Sequence, residues 1–324
     1  MARHHHIFSD LIHRAQALDA IPVAVVYPLS EVSLRGACEA ADEGLVTPTL
    51  IAPSSELSAF AASLDIDISK YEIVDASSPE AAAAVGVALC RSGKAELLMK
   101  GSLHTDHLMH AVMQDTTGLR THRRLSHVFV LDVPASPRML MISDAAINIY
   151  PTLTDKVDIV QNAIDLAHVL RVADPKVAIL SAVETVTPKI TSTIEAAALC
   201  KMAERGQITG GTLDGPLAFD NAVNLKAAEI KHIQSPVAGV ADILIVPDLE
   251  AGNMLAKQLE YLADSEAAGV VLGARVPIIL TSRADSAKSR LASAAVAVLL
   301  AHAQRLAQPE VAAFTGVHTG GHHD

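Results

Sequence analysis

Tryptophan is absent from this chain, and aromatic residues make up only 3% of it. The core therefore has to be aliphatic, built from Ala, Val, Leu and Ile, a composition that suits layered α/β packing. Cysteine is scarce as well. Cys38, Cys90 and Cys200 are scattered, odd in number and free of any CxxC pair, which argues against a disulfide framework and offers no zinc motif. They read as buried thiols in a reducing, cytoplasmic compartment. No Lys/Arg run interrupts a net charge of −11, so a basic face for nucleic acid is not expected. The apolar run "AAVAVLLA" from Ala294 is too short to span a bilayer, and no apolar leader opens the chain, so no membrane partner is expected.

Familiar fingerprints are missing too. No GxGxxG follows the first strand and no GxxxxGK[ST] occurs, which disfavours a dinucleotide-binding or P-loop enzyme. "CRSGKAE" holds a Gly-Lys pair without the other glycine or the hydroxyl residue. There is no HExxH and no paired metal-carboxylate motif, so no metal is expected. Asp242 and Asp248, which flank "DILIVPD", read as strand-end caps before they read as ligands. "MARHHH" and "GGHHD" hold five of the fifteen histidines and are set aside as frayed or engineered ends.

What remains is a chain of 324 residues, 50% hydrophobic and 19% charged, enough for two domains and a large core. Helical and strand periods alternate along it. "FSDLIHRAQALD", "SEVSLRGACEAADEG", "SSELSAFAASL" and "SPEAAAAVGVALCRSG" read as helices, the second with a Ser N-cap and the last with Pro in its first turn. "IPVAVVYP", "VTPTLIAP", "YEIVDA" and "AELLMKGS" read as buried strands between them. Such alternation implies a parallel sheet covered on both faces. "LSHVFVLDVP" and "PRMLMISDAAI" follow as adjacent, antiparallel strands, and the alternation then resumes. A boundary falls near Asp144 to Pro151. The expected domains are 1–145 joined by 287–324, whose last helix packs back, and 146–286, with a tight cleft between them.

Several corners could carry chemistry. Strand "LLMK" ends in Gly101-Ser102, and Thr105 can cap the next helix; the carboxyl ends of parallel strands and the first N–H groups of helices are where open sheets hold anions. An ordinary turn and cap is the competing reading. His104, His107 and His110, spaced by three, read as surface histidines. "GLRTHRRLSHVF" gathers Arg120, Arg123 and Arg124, whose forks suit phosphate, against the alternative of an exposed basic loop. "GGTLDGPLAFDNAVN" reads as a polar Gly-rich loop facing the cleft, with Asp220 as an N-cap beside Asn221 and Asn224. Gly252 admits a close approach of backbone or ligand, and Asn253 can hydrogen-bond it. Finally, "VPIILTSRADS" brings Thr281, Ser282 and Arg283 to the start of the last helix, with Asp285 or Ser286 as its cap. This corner reads either as an anion site made of hydroxyl, guanidinium and helix dipole, or as a plain capped helix.

Three stretches together, "SPVAGVADILIVPDLEAGNMLAKQL", "DGPLAFDNAVN" and "VPIILTSRADS", make the chain similar to the phosphate acetyltransferase and phosphate butyryltransferase family over essentially its full length. "TSRADS" and "GLR" are closer to the butyryltransferase branch. The resemblance implies a two-domain, three-layer α/β/α fold of the isocitrate/isopropylmalate dehydrogenase type, a homodimer, and an active site in the interdomain cleft. It implies reversible acyl transfer between coenzyme A and inorganic phosphate, with acyl-CoA and phosphate as substrates and no bound cofactor. Ser282 and Arg283 match the family's Ser-Arg pair at the last helix. The family aspartate seven residues after that serine is Ser289 here, which leaves Asp285 as the nearest carboxylate. A family arginine of the earlier helix is Met109 here, and Arg120 or Arg123 is expected to take its place. These two substitutions keep open a non-catalytic CoA or acyl-phosphate binding module as the alternative. A metal-dependent hydroxy-acid dehydrogenase of the same fold would need clustered aspartates, which the sequence lacks.

Overall fold

A computed structural model describes residues 6–280 and 285–307. The strands are β1 (Ile21–Val26), β2 (Val46–Ala52), β3 (Glu72–Asp75), β4 (Leu97–Lys100), β5 (Ser126–Asp132), β6 (Leu140–Ser143), β7 (Lys176–Leu180), β8 (Thr212–Leu217), β9 (Ile243–Ile245), β10 (Glu266–Leu272) and β11 (Ile278–Ile279). The helices are α1 (Ile7–Gln16), α2 (Glu31–Asp42), α3 (Ser54–Ser63), α4 (Pro79–Arg91), α5 (Thr105–Val112), α6 (Leu153–Val169), α7 (Thr191–Glu204), α8 (Phe219–Val223), α9 (Leu225–Ile230), α10 (Leu249–Leu262) and α11 (Ala287–Ala307).

The strands form one mixed sheet in the order β3-β2-β1-β4-β11-β10-β5-β6-β9-β7-β8. Two parallel sets lie at its ends: β3, β2, β1, β4 and β11 on one side, and β6, β9, β7 and β8 on the other. Antiparallel pairing of β10 with both β11 and β5, and of β5 with β6, joins the sets and leaves them pointing in opposite directions. The β5–β6 antiparallel pair agrees with the sequence reading. The alternation seen in sequence does not run on to the end: β10 and β11 return to lie between β4 and β5.

Side chains alternate across the sheet with period two, so each strand feeds both faces. Val128, Val130, Ala268 and Val270 face a single apolar cluster shared with α1, α2, α3, α6, α7 and α11. On the opposite face the core is split. Leu98, Val271 and Ile278 pack with α4 and α5, whereas Leu131, Ala178, Leu244 and Ala267 pack with α8, α9 and α10. Gly269 lies on that face between Ala267 and Val271, at the seam of the two clusters, beside His127 and Phe129 of β5. Each fully buried Leu, Ile or Val in these clusters contributes about 1.5–3 kcal/mol relative to an exposed one.

Local signals behave as their chemistry requires. Ser30 closes a capping box on α2, and Ser78 caps α4 ahead of Pro79. Asp248 caps α10 through the Ala251 N–H at 2.8 Å. Two expectations are corrected. Thr105 is the first residue of α5 and supplies no cap; His104 holds the cap position without a side-chain bond. The loop expected through Asp214-Gly215-Pro216 is instead strand β8. It is an edge strand, where a missing proline N–H is tolerated, and its register with β7 shifts between Ala178 and Leu180.

Candidate active site

The turn after β6 is the centre of a polar network. Asp144 is 3% exposed, and its carboxylate accepts from the N–H groups of Ala146, Ile147 and Asn148 and from the Asn148 side-chain amide. Burial pushes this carboxyl up, against the pull of those hydrogen bonds. All four partners are N–H donors, so the group serves as an acceptor throughout. The turn is pinned from the far side by α10. A Cβ on Gly252 would stand 3.0 Å from the Asp144 carbonyl oxygen and 3.0 Å from the Ala145 Cβ. Asn253 Nδ2 donates to the Ala145 carbonyl at 3.4 Å. The close approach at Gly252 is thus made by the Val246 side chain, at 2.7 Å from such a Cβ, and by the Asp144–Ala145 turn, which Asn253 also bonds.

Asn148, buried by this turn, accepts at its Oδ1 from Arg124 Nε at 2.8 Å and donates to the Leu125 carbonyl at 2.8 Å. Arg124 Nη1 lies 3.3 Å from Asp155. Although burial opposes it, hydrogen bonds from Thr152 and the charge of Arg124 hold Asp155 below the usual carboxylate range. The Arg124 N–H donates to Asp158 at 2.8 Å, and its carbonyl accepts from Asn162 at 2.9 Å. Arg124 is therefore fixed through backbone and side chain alike. Its Nε and Nη1 are the atoms so engaged, and a guanidinium fork of this kind suits an anion.

Arg124 and Asn148 line a cavity of about 250 Å³ with Thr105, Asp106, Met109, Met113, Leu125, Ala146 and Ile147. The cavity sits where the turn crosses the seam: Ala145 belongs to one apolar cluster and Ile147 packs on the other. Leu280, the last described residue before the Thr281–Arg283 corner, packs on the same cluster as Ile147 and Met109. A larger groove of about 840 Å³ between α4 and α5 is floored by Ala84, Val87, Ala88 and Ala111 and contains none of the expected site residues.

The expected residues divide accordingly. Thr105 reaches the cavity, together with Met109. Arg120 does not: it is exposed and paired with Asp115, a surface contact of about 0–1 kcal/mol. Arg123 lies 3.5 Å from Asp165 on α6. The arginine that shares the cavity with Met109 is Arg124, which sequence reasoning named in its cluster but did not choose. The buried Asn148, four residues after an aspartate in "SDAAIN", was the missed signal. The Ser102 hydroxyl donates to the Tyr27 carbonyl at 2.9 Å, and Ser102 is not among the residues lining the Arg124 cavity. Asp220 lies 3.4 Å from Lys231, and Asn221 bonds Glu184; neither lines the Arg124 cavity. Asp220 sits in the first turn of α8, whose cap position is Ala218, while Asn224 caps α9.

At the last helix, Thr281, Ser282 and Arg283 lie outside the described residues. Beyond them Ser286 caps α11 through the Ser289 N–H at 3.0 Å, and the Asp285 carbonyl accepts from Arg290 at 2.9 Å. Ser289 is 5% exposed, and its carbonyl accepts from Ser293. Ser293 also accepts the Gly269 N–H at 3.0 Å, which ties α11 to the seam. Beside Gly269, His127 is fully buried and edge-on to Phe129 at 4.4 Å. Burial, and behind it the Lys257 charge, pushes its imidazole down to about 3. His104, His107 and His110 form no metal site with their neighbours; among the described residues no cluster could hold a metal ion. No helix among them is long and apolar enough to cross a membrane.

Comparison with known proteins identifies the family. The family model described as "Phosphate acetyl/butaryl transferase" matches residues 79–298, a span that contains α5, Arg124, the Asp144 turn, α10 and most of α11. A phosphate acetyltransferase of Rhizobium meliloti is 62% identical over 301 residues, covering 93% of this chain and 95% of its own. The crystal structure of a branched-chain phosphotransacylase from Enterococcus faecalis V583 superposes with a TM-score of 0.77 at 30% identity, covering 87% of this chain and 99% of that one. In fold alone, the 4-hydroxythreonine-4-phosphate dehydrogenase of Klebsiella pneumoniae is also similar, with a TM-score of 0.52 at 11% identity over 88% of this chain and 100% of that one. A match across most of the length, with the cavity residues inside it, means that this chain belongs to the phosphate acetyl/butaryl transferase family.

Proposed function

We propose that the chain catalyses reversible transfer of a short acyl group, acetyl or butyryl, between coenzyme A and inorganic phosphate, within a ternary complex. The observation that carries this is the 62% identity with a phosphate acetyltransferase over 93% of the chain. In the forward direction a phosphate oxygen attacks the thioester carbonyl carbon and a tetrahedral oxyanion forms. The C–S bond then breaks, the acyl phosphate is released, and the departing thiolate takes up a proton as free coenzyme A. In reverse the thiol loses that proton and attacks the acyl phosphate.

The residues on hand fit the charges involved. We assign Arg124 to the phosphate or the oxyanion, because its fork is tethered by Asn148 and Asp155 at the cavity shared with Met109. Ser282 and Arg283 keep the role that the family's Ser-Arg pair implies, ahead of the capped N-terminus of α11. Each well-placed donor to the oxyanion contributes about 3–4 kcal/mol, and holding both substrates together supplies much of the remainder. Buried Ser289 offers no carboxylate, so Asp285 is the base we assign to the thiol. With a thiol pKa of about 8.5, a small thiolate fraction exists at neutral pH without it.

The two-lobed reading, with the site in the cleft between lobes of a three-layer dehydrogenase-type fold, is supported by the oppositely directed parallel sets and by the split core. A homodimer is supported by the outer face of α10, where Met254, Tyr261 and Leu262 are 58%, 69% and 85% exposed. A cytoplasmic setting is supported by three unpaired cysteines.

The deciding assay measures release of free thiol from acetyl-CoA and butyryl-CoA with phosphate as acceptor. Phosphate-dependent release is expected. Its absence with every short acyl-CoA removes the proposal, and calorimetric CoA binding without turnover would identify a non-catalytic module of the same fold. Light scattering should give twice the 34.0 kDa chain mass; a monomer at micromolar concentration would remove the dimer.

A further inference from the structure

The cavity at the seam has a lining of two chemical kinds. Thr105, Asp106, Arg124 and Asn148 are polar, whereas Met109, Met113, Leu125 and Ile147 are apolar. Phosphate and the CoA diphosphate are charged, and neither gains from an apolar wall. The hydrocarbon part of the acyl group, bonded directly to the carbon whose oxyanion Arg124 is assigned to serve, does gain. Met109 and Ile147 pack on the cluster that also holds Leu280, the last described residue before Thr281.

We infer that Met109, Met113 and Ile147 seat the acyl chain and decide which chain lengths the protein accepts. This rests on the acyl-transfer reading above and names the part of the site that reads the acyl group. The three side chains divide the task by stiffness. Methionine is unbranched and fills irregular space, so Met109 and Met113 can follow chains of different length. Ile147 is branched at Cβ and restricted at χ1, and it follows the turn held by four bonds to Asp144, so it forms the fixed wall. The resemblance implies an arginine of the family at the position of Met109. An uncharged thioether there keeps that part of the lining apolar, while Arg124 lines the same cavity as a cation.

The test compares kcat/KM for acetyl-, butyryl- and hexanoyl-CoA at saturating phosphate in wild type and in Ile147→Ala, Ile147→Phe and Met113→Ala. One methylene in an apolar pocket changes kcat/KM by roughly 10-fold or more. Ile147→Ala and Met113→Ala should raise the hexanoyl-to-acetyl ratio at least about 10-fold, and Ile147→Phe should lower the butyryl-to-acetyl ratio by a similar factor. Met113 is 38% exposed, so its truncation keeps the test valid if an Ile147 variant folds poorly. An active wild type whose variants all keep its length ratios within about two-fold overturns the acyl seat, because the pocket would then not be contacting the chain. A wild type without phosphate-dependent release from any thioester counts against the acyl-transfer reading instead.

Discussion

Arg124 Nε and Asn148 Oδ1 are joined at 2.8 Å, and this one bond links an exposed guanidinium to a buried carboxylate, because Asn148 is itself held by Asp144. The link is what separates Arg124 from its two neighbours in the same segment. Arg124→Gln should lower kcat/KM for acyl transfer at least about 100-fold, the loss of one charge-assisted transition-state contact. Unfolding should show a loss of about 1–3 kcal/mol as well, since the buried Asn148 Oδ1 loses its donor. Arg124→Lys should not restore activity, because a single ammonium cannot reproduce the fork. Arg120→Gln serves as the control and should stay close to wild type in both measurements.

Asp144 receives four N–H donors. Asp144→Asn turns one acceptor oxygen into a donor facing donors. Denaturant unfolding should show a loss of about 1–3 kcal/mol, the cost of buried polar groups left unsatisfied. Activity should fall with it, since Asn148 then no longer fixes Arg124. Wild-type stability together with wild-type kcat would mean that the turn does not position the arginine.

The buried His127 imidazole gives stability a pH dependence of definite sign. Its proton affinity is lower in the folded chain, about 3 against an ordinary 6.5. The unfolded chain therefore binds the proton first. The contribution is complete above about 6.5 and is lost as pH falls toward 3, at about 1.4 kcal/mol per unit. Between pH 6.5 and 4.5, His127→Asn should flatten the fall of unfolding free energy by close to one proton. An unchanged slope would show that His127 titrates normally.

A Cβ on Gly269 would lie 2.7 Å from His127 Nε2 and 3.2 Å from the Leu280 carbonyl oxygen. Gly269→Ala should cost about 1–3 kcal/mol as an overpacked site. Combined with His127→Asn, which shortens the opposing side chain, the two losses should sum to less than their separate values in a double-mutant cycle. Strict additivity would place the strain elsewhere.

Much of the fold is written locally. The period of apolar residues marks the strands and helices before β10, and Ser30, Ser78 and Asp248 announce helix starts with a hydroxyl or carboxylate three residues ahead of the N–H they accept. The Ser286 cap is equally local. The family motifs were legible for the same reason, as runs in which order alone carries the signal. Other features were not legible. "DGP" reads as a turn by composition, and only the edge position of β8 makes it a strand. Sequence does not show that Asn253 bonds the Ala145 carbonyl, 108 residues away.

The three arginines mark the limit most clearly. Sequence determined that Arg120, Arg123 and Arg124 stand together before a strand. Tertiary structure decided which partners each of them meets, by bringing Asn148 and Asp155 onto Arg124, Asp165 onto Arg123 and Asp115 onto Arg120. The physical reason is range. Helix periods and caps are settled by hydrogen bonds within a few residues, whereas the direction of a long charged side chain is settled by whatever carboxylate or amide the fold carries to it.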